Sequence, residues 1–263
     1  MQRSQLEYLL QLIPDHQQYC EPFFNDGFFF FTKQGQPGVI SLNDVRGNIT
    51  NFFKVLRQYP QEFLDMYHGK TVYSDSTEQI SSALSWFKQL QSIFKDNESH
   101  KDIKDKYNLH SWIWEIEYLP EIIDKFRHTQ VFNRGCWASM AVCDTPQCLH
   151  YVELPPIEQA IPSSEVTDFV CKNRWVVDRN YDLHMTLADH DFLVENMINN
   201  IKGYIILVVS APHKIYDKLD DAGWQHCDIG ENLVYVHPRI LQECNLDWNS
   251  KLGFKVSLGI KSS

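Results

Sequence analysis

Apolar positions in this chain fall alternately into short runs and into three-and-four spacings. Leu6, Leu9, Leu10, Leu12 and Ile13 follow a helical period that stops at Pro14-Asp15, which predicts a helix over 4–13. Tyr19 and Cys20 read as a first strand, closed by Glu21-Pro22 and a polar turn through Asn25, Asp26 and Gly27. Phe28 to Phe31 are wholly apolar and have to be buried. Val39, Ile40 and Leu42 form a second strand that ends at Asn43-Asp44, and Ile49, Phe52, Phe53 and Leu56 mark one face of a helix behind it. The stretch 19–56 therefore predicts a strand, turn, helix, strand, helix unit.

Residues 60–128 turn helical and aromatic. Ser76-Thr77-Glu78-Gln79 has the form of a capping box ahead of Ile80, Leu84, Phe87, Leu90 and Phe94 on one helix side. After a polar stretch, Trp112, Ile113 and Ile116 resume the pattern, Leu119-Pro120 breaks it, and Ile122, Ile123 and Phe126 continue. Thr129 to Phe132 is a strand. A short helix and an Asp144-Thr145-Pro146 turn lead into the run from Cys148. Pro162-Ser163-Ser164 marks an irregular loop, Thr186 and Asp189 start a helix that buries Leu193, Met197 and Ile201, and Tyr204–Val209 is again a strand. Lys255 to Ile260 reads as the last one. Strands alternating with helices predict an α/β fold.

Composition narrows the class. With 263 residues and 43% hydrophobic content the chain has ample core, and no apolar run approaches membrane-spanning length. Seven cysteines, an odd number without a Cys-x-x-Cys pair, predict buried thiols in a reducing compartment, and the closest pair, Cys143 and Cys148, has no accompanying His-Cys ligand spacing, so no metal site is expected. The start of the sequence, with Glu7 inside its amphipathic pattern, does not read as a secretory leader, and the reading predicts a cytoplasmic protein. Net charge is −10, and Lys101, Lys104 and Lys106 are interleaved with Asp102 and Asp105. A protein that grips duplex DNA alone neutralises phosphates with a basic surface, so DNA is expected only with a partner present.

A turn after a first strand and an acid at the end of a second is how doubly wound folds hold a nucleoside: loop amides meet the polar tail and the carboxylate takes the ribose hydroxyls. Glu21, Pro22, Phe23, Gly27, Phe30, Phe31, Asn43, Asp44, Asn51, Phe52 and Phe53 match the pattern E-P-F-x-G-G-G-x-x-F-F followed by I-N-D-x-N-x-x-L-x-N-F-F. On these residues the chain resembles the Dam-type, or class alpha, N(6)-adenine DNA methyltransferases. The resemblance implies a Rossmann-like S-adenosylmethionine-dependent methyltransferase sheet formed by 1–59 and 129–263, with 60–128 as a helical insertion similar to a target-recognition domain. Ser111 to Glu121 resembles that insertion's S-x-W-L-x-x-I-E-x-L-P-E, and Trp112 and Trp114 are either base-stacking or core residues. Tyr181 to His190 resembles Y-x-H-E-M-T-x-x-D-H; His184 and His190 there read as packing residues ahead of acid-base groups. Glu21, Pro22, Phe23, Gly27 and Asp44 occupy the cofactor-binding positions for S-adenosylmethionine.

The departures fall on function. The family's P-G-G-K segment has no counterpart in this sequence, Asn25 and Asp26 replace small loop residues, and Gly135 replaces the aspartate that meets the cofactor's adenine amino group. The D-P-P-Y motif, whose acid and carbonyl receive the target amino group and whose ring stacks on the flipped base, corresponds to Glu153, Leu154, Pro155 and Pro156. A rival alignment uses Asp178 and Tyr181. Leu154 regains an amide hydrogen where proline had none, which is expected to unlock the neighbouring carbonyl. These changes predict a catalytically degenerate relative that does not bind S-adenosylmethionine and works through a protein partner: a methyltransferase or defence-system subunit, or a second copy. An active adenine methyltransferase is the alternative.

Overall fold

In the computed structural model, residues 9–25, 27–33, 35, 37–95, 116–157, 176–177, 183–229 and 232–243 are described. The predicted unit is present in order: β1 (Gln18–Glu21), α1 (Phe28–Thr32), β2 (Val39–Asn43) and α2 (Gly47–Gln58). Among the described residues α3 (Pro60–Tyr67), α4 (Thr77–Lys95) and α5 (Leu119–Phe126) follow before β3 (Thr129–Phe132). The break read at Leu119-Pro120 coincides with the start of α5. Pro120 sits in the first turn of α5, where a missing N–H leaves no helical bond unmade, directly after a 3-10 turn over Ile116–Tyr118. The second half runs α6 (Cys136–Cys143), β4 (Cys148–Glu153), a small antiparallel ladder of β5 (Val176–Val177) and β6 (Leu183–His184), then α7 (Leu187–Asn199), β7 (Tyr204–Val209), α8 (Asp217–Asp221), β8 (Gln225–Ile229), β9 (Asn232–Val236) and α9 (Pro238–Glu243).

Seven strands form one sheet in the order β3-β2-β1-β4-β7-β9-β8. All run parallel except β9, which is antiparallel to both β7 and β8. Alternate strand residues face opposite sides, and helices cover both, as a parallel sheet requires. On one side Tyr19, Leu149, Tyr151, Ile206 and Val208 meet an aromatic cluster from α1, α2 and α5. Phe29 lies parallel to Tyr151 at 3.8 Å, and Phe53 stacks on Phe126 at 4.7 Å. Phe63, Ile80, Leu84 and Phe87 join the same cluster, so the described helices of 60–128 add to the main core and do not form one of their own. On the other side Cys20, Cys148, Val152, Ile205 and Leu207 meet α6, α7 and α8.

Two local devices fix the second half. Thr186 and Asp189 make the expected reciprocal cap of α7: the Thr186 hydroxyl accepts from the Asp189 amide at 3.1 Å, and the Asp189 carboxylate accepts from the Thr186 amide at 3.0 Å. Asp144 binds the Lys202 and Gly203 amides and the buried His150 ring at 3.3 Å. Burial pushes its carboxyl up, but these donors outweigh burial and hold it below the usual carboxylate range. Gly203 has to be glycine, because a Cβ would stand 2.4 Å from the Cys148 carbonyl oxygen.

The hairpin of β8 and β9 falls between the strands expected at Tyr204–Val209 and Lys255–Ile260, where the apolar pattern predicted no strand. Gln225, His226 and Asp228 are partly or fully exposed, as suits a sheet edge, and they dilute the apolar alternation. The strand expected at Lys255–Ile260 and the tryptophans Trp112 and Trp114 lie outside the described residues. Among the described residues no helix is long and apolar enough to cross a membrane, and the five described cysteines are buried thiols.

Candidate functional site

β1 leads to β2 on one side and lies beside β4 on the other, so the loops leaving the carboxyl ends of β1 and β4 diverge; crevices in open α/β sheets form at such a switch point. A cleft of about 320 Å³ lies there, at the lower end of the range for small-molecule sites. Phe23 and Asn25 from the β1 loop, Arg46 from the β2 loop and the whole motif Glu153, Leu154, Pro155 and Pro156 line it. Val208, Val209 and Ser210 at the end of β7, with Asn232, complete the wall. The alignment on Glu153 thus puts its motif in the cleft. Asp178 and Tyr181 of the rival alignment lie outside the described residues.

The glycine-poor loop keeps a glycine-like backbone. Asn25 adopts φ 49°, a left-handed conformation that asparagine tolerates better than most residues. Gly27 adopts φ 73°, and a Cβ there would stand 2.4 Å from Phe24 Cζ and 2.7 Å from Phe31 Cε2. Its smallness serves the packing of the two rings, and it does not line the cleft.

The acid that would receive a ribose is already occupied. Asp44 is 2% exposed. Its Oδ1 accepts from the Arg46 amide and Nε, both at 2.9 Å, and its Oδ2 from Arg46 Nη2 at 2.8 Å and the Asn25 amide at 3.0 Å. Arg46 Nη2 also bonds the Asn25 side-chain oxygen. Arg46 therefore reaches across the β1 and β2 loops and shows the cleft a guanidinium where the resemblance implies a free carboxylate.

Glu21 and Pro22 sit beneath the wall. Glu21 is buried and accepts from the Tyr19 hydroxyl at 2.6 Å; the Pro22 carbonyl accepts from Asn43 Nδ2 at 3.0 Å. Asn43 also donates to the Arg134 carbonyl and accepts from its amide, at 3.0 and 3.1 Å, which joins the loops after β1, β2 and β3 through one side chain. Lys33, buried beside Tyr19 with its ammonium 4.7 Å from that ring, is pulled down to about 8 by burial, against the attraction of Glu21. Burial and the neighbouring Glu21 push Tyr19 well up.

Leu154 corrects the expectation of an unlocked motif. Its amide donates to the Val208 carbonyl at 3.0 Å, extending the β4–β7 ladder by one bond that proline cannot make, and its side chain is buried. Glu153 accepts from the Tyr151 hydroxyl at 3.3 Å. The role of Arg46 is what the residue-by-residue reading missed, although its Asp-x-Arg spacing at a strand end was a visible signal. No protein-family model matches the chain, and no curated protein matches its sequence.

Proposed function

We propose that this chain is a catalytically degenerate relative of the adenine DNA methyltransferases that serves as a binding or accessory subunit for a protein partner. The observation that carries the reading is the closure of Asp44 by Arg46. Both Asp44 oxygens already accept from Arg46, and Oδ2 also from the Asn25 amide, so each ribose hydroxyl would have to displace a bond of the same order as the one it makes, about 1.5–3 kcal/mol. A nucleoside entering by this acid would gain little on the exchange. The departures at Gly135 and Pro156, which lack the acceptor and the ring that the family pattern supplies, point the same way. The partner that fits the reading is an active methyltransferase, a defence-system component or a second copy, and a net charge of −10 favours DNA contact only through such a partner.

Calorimetry with S-adenosylmethionine is the test, joined to a radiolabelled methyl-transfer assay on mixed-sequence DNA. No binding and no transfer are expected from the isolated chain. Micromolar binding that disappears in Asp44→Ala, or turnover that collapses in Glu153→Ala, would overturn the reading. The second reading, an active S-adenosylmethionine-dependent adenine methyltransferase, draws support from one observation: Glu153, Pro155 and Pro156 share a cleft with Phe23 and Asn25.

A further inference from the structure

Three cysteines gather on the sheet face covered by α6, away from the cleft wall. Cys148 pairs in register with Gln18, and Cys20 with His150, so Cys20 and Cys148 point to the same face of adjacent strands. Cys143, the last residue of α6, closes the group from above, and α6 packs directly on β1 and β2. The Cys20 thiol contacts the Ser139 carbonyl of α6 at 4.0 Å and shares a hydrogen bond with the Cys143 thiol. Cys143 is 8% exposed, whereas Cys20 and Cys148 are 0%, so an oxidant arriving from solvent meets Cys143 first.

We propose that Cys143 is a peroxide-reactive cysteine and that Cys20 is its resolving partner, the two forming a disulfide that ties α6 to β1. The Cys143 thiolate attacks the O–O bond of hydrogen peroxide; an S–O bond forms, and the departing hydroxide takes up a proton as water. Cys20 sulfur then attacks the sulfenic sulfur, an S–S bond forms, and the expelled hydroxide leaves as water with the proton from Cys20. Overall, two thiols and one hydrogen peroxide give one disulfide and two waters. The disulfide requires the two sulfurs to close to about 2.05 Å, which draws the C-terminus of α6 onto β1.

The surroundings divide the two roles. Hydrogen bonds from Cys20 and Ser41, with the Arg134 charge facing it from the β3 loop, bring Cys143 down to about 6 against the effect of burial. The same hydrogen bond, together with burial, pushes Cys20 well up, so it keeps its proton until Cys143 is oxidised. Cys148, facing Asp144 and Cys143, is pushed up by burial and stays a thiol.

The test treats the reduced full chain with hydrogen peroxide and reads intact mass and peptide maps. The chain is expected to become lighter by two hydrogen atoms, with the Cys20 and Cys143 peptides linked. Cys20→Ser should leave Cys143 as a sulfenic acid that dimedone captures, and Cys148→Ser should cross-link as wild type does. Iodoacetamide labelling of Cys143 should rise at a lower pH than labelling of Cys148. A wild-type chain unchanged by peroxide, a bond through Cys148 or another cysteine, or dimedone adducts that spare Cys143 in Cys20→Ser would each overturn the proposal.

Discussion

Replacing Gly27 with alanine separates two reasons for a glycine in this loop. If the residue is small so that a ligand can approach the backbone, Gly27→Ala should cost only what its positive φ imposes. If the residue is small for packing, two costs combine. Holding an L-residue at φ 73° costs about 1–2 kcal/mol. The new methyl would also lie 2.4 Å from Phe24 Cζ and 2.7 Å from Phe31 Cε2. Neither ring can swing clear, because Phe24 is edge-on to Phe53 at 4.9 Å and to Phe126 at 5.8 Å, and Phe31 lies 5.2 Å from Phe30. Overpacking of this kind costs about 1–3 kcal/mol, so the expected loss is about 2–5 kcal/mol. Gly69→Ala is the control: its φ is +80° and nothing lies within 4 Å of the added carbon, so only the backbone cost applies. Urea unfolding of the three proteins reads the difference, and a slope of about 3 kcal/mol per molar would move the Gly27→Ala midpoint by roughly 1 M. A Gly27→Ala loss no larger than that of Gly69→Ala would refute the packing argument.

Leu154→Pro should destabilise the chain by about 3 kcal/mol or more in the same urea experiment, since it removes both the bond to Val208 and a buried side chain. Lys33 carries a folded-state pKa of about 8 against an ordinary 10.5, so between these values the unfolded chain binds more protons and stability should rise with pH. That rise, at most about 3 kcal/mol, should vanish from the urea midpoints of Lys33→Met. Thr186→Ala removes the reciprocal cap of α7 and should cost about 1–2 kcal/mol by thermal or urea unfolding, with Thr186→Ser recovering most of it.

What was legible in the sequence was what short-range periodicity carries. The unit from Tyr19 to Phe53, the strand at Thr129–Phe132 and the cap at Thr186 stand where the apolar spacing and turn residues put them. The β8 and β9 strands escaped because an edge strand mixes His226 and Asp228 with Cys227 and Ile229, which weakens the period-two signal. Leu119-Pro120, read as a break in the helical pattern, stands at the boundary between the 3-10 turn and α5. At the site, position was readable and pairing was not. Glu153 to Pro156 do meet Phe23 and Asn25, but whether Asp44 faces a ligand or Arg46 depends on the path of a side chain across two loops, which spacing does not encode. Leu154 taught the converse: an amide gained in place of proline found a ready carbonyl on β7.

Asn43 bears on any attempt to redesign this end of the sheet. Because it bonds Pro22 and Arg134 while lying at the end of β2, the crowns of three strands form one mechanical piece. A substitution in the first crown, at position 135 in the third, or at Arg46 in the second would each be felt by the other two. Changes made one at a time in these crowns would therefore not add up to the same changes made together.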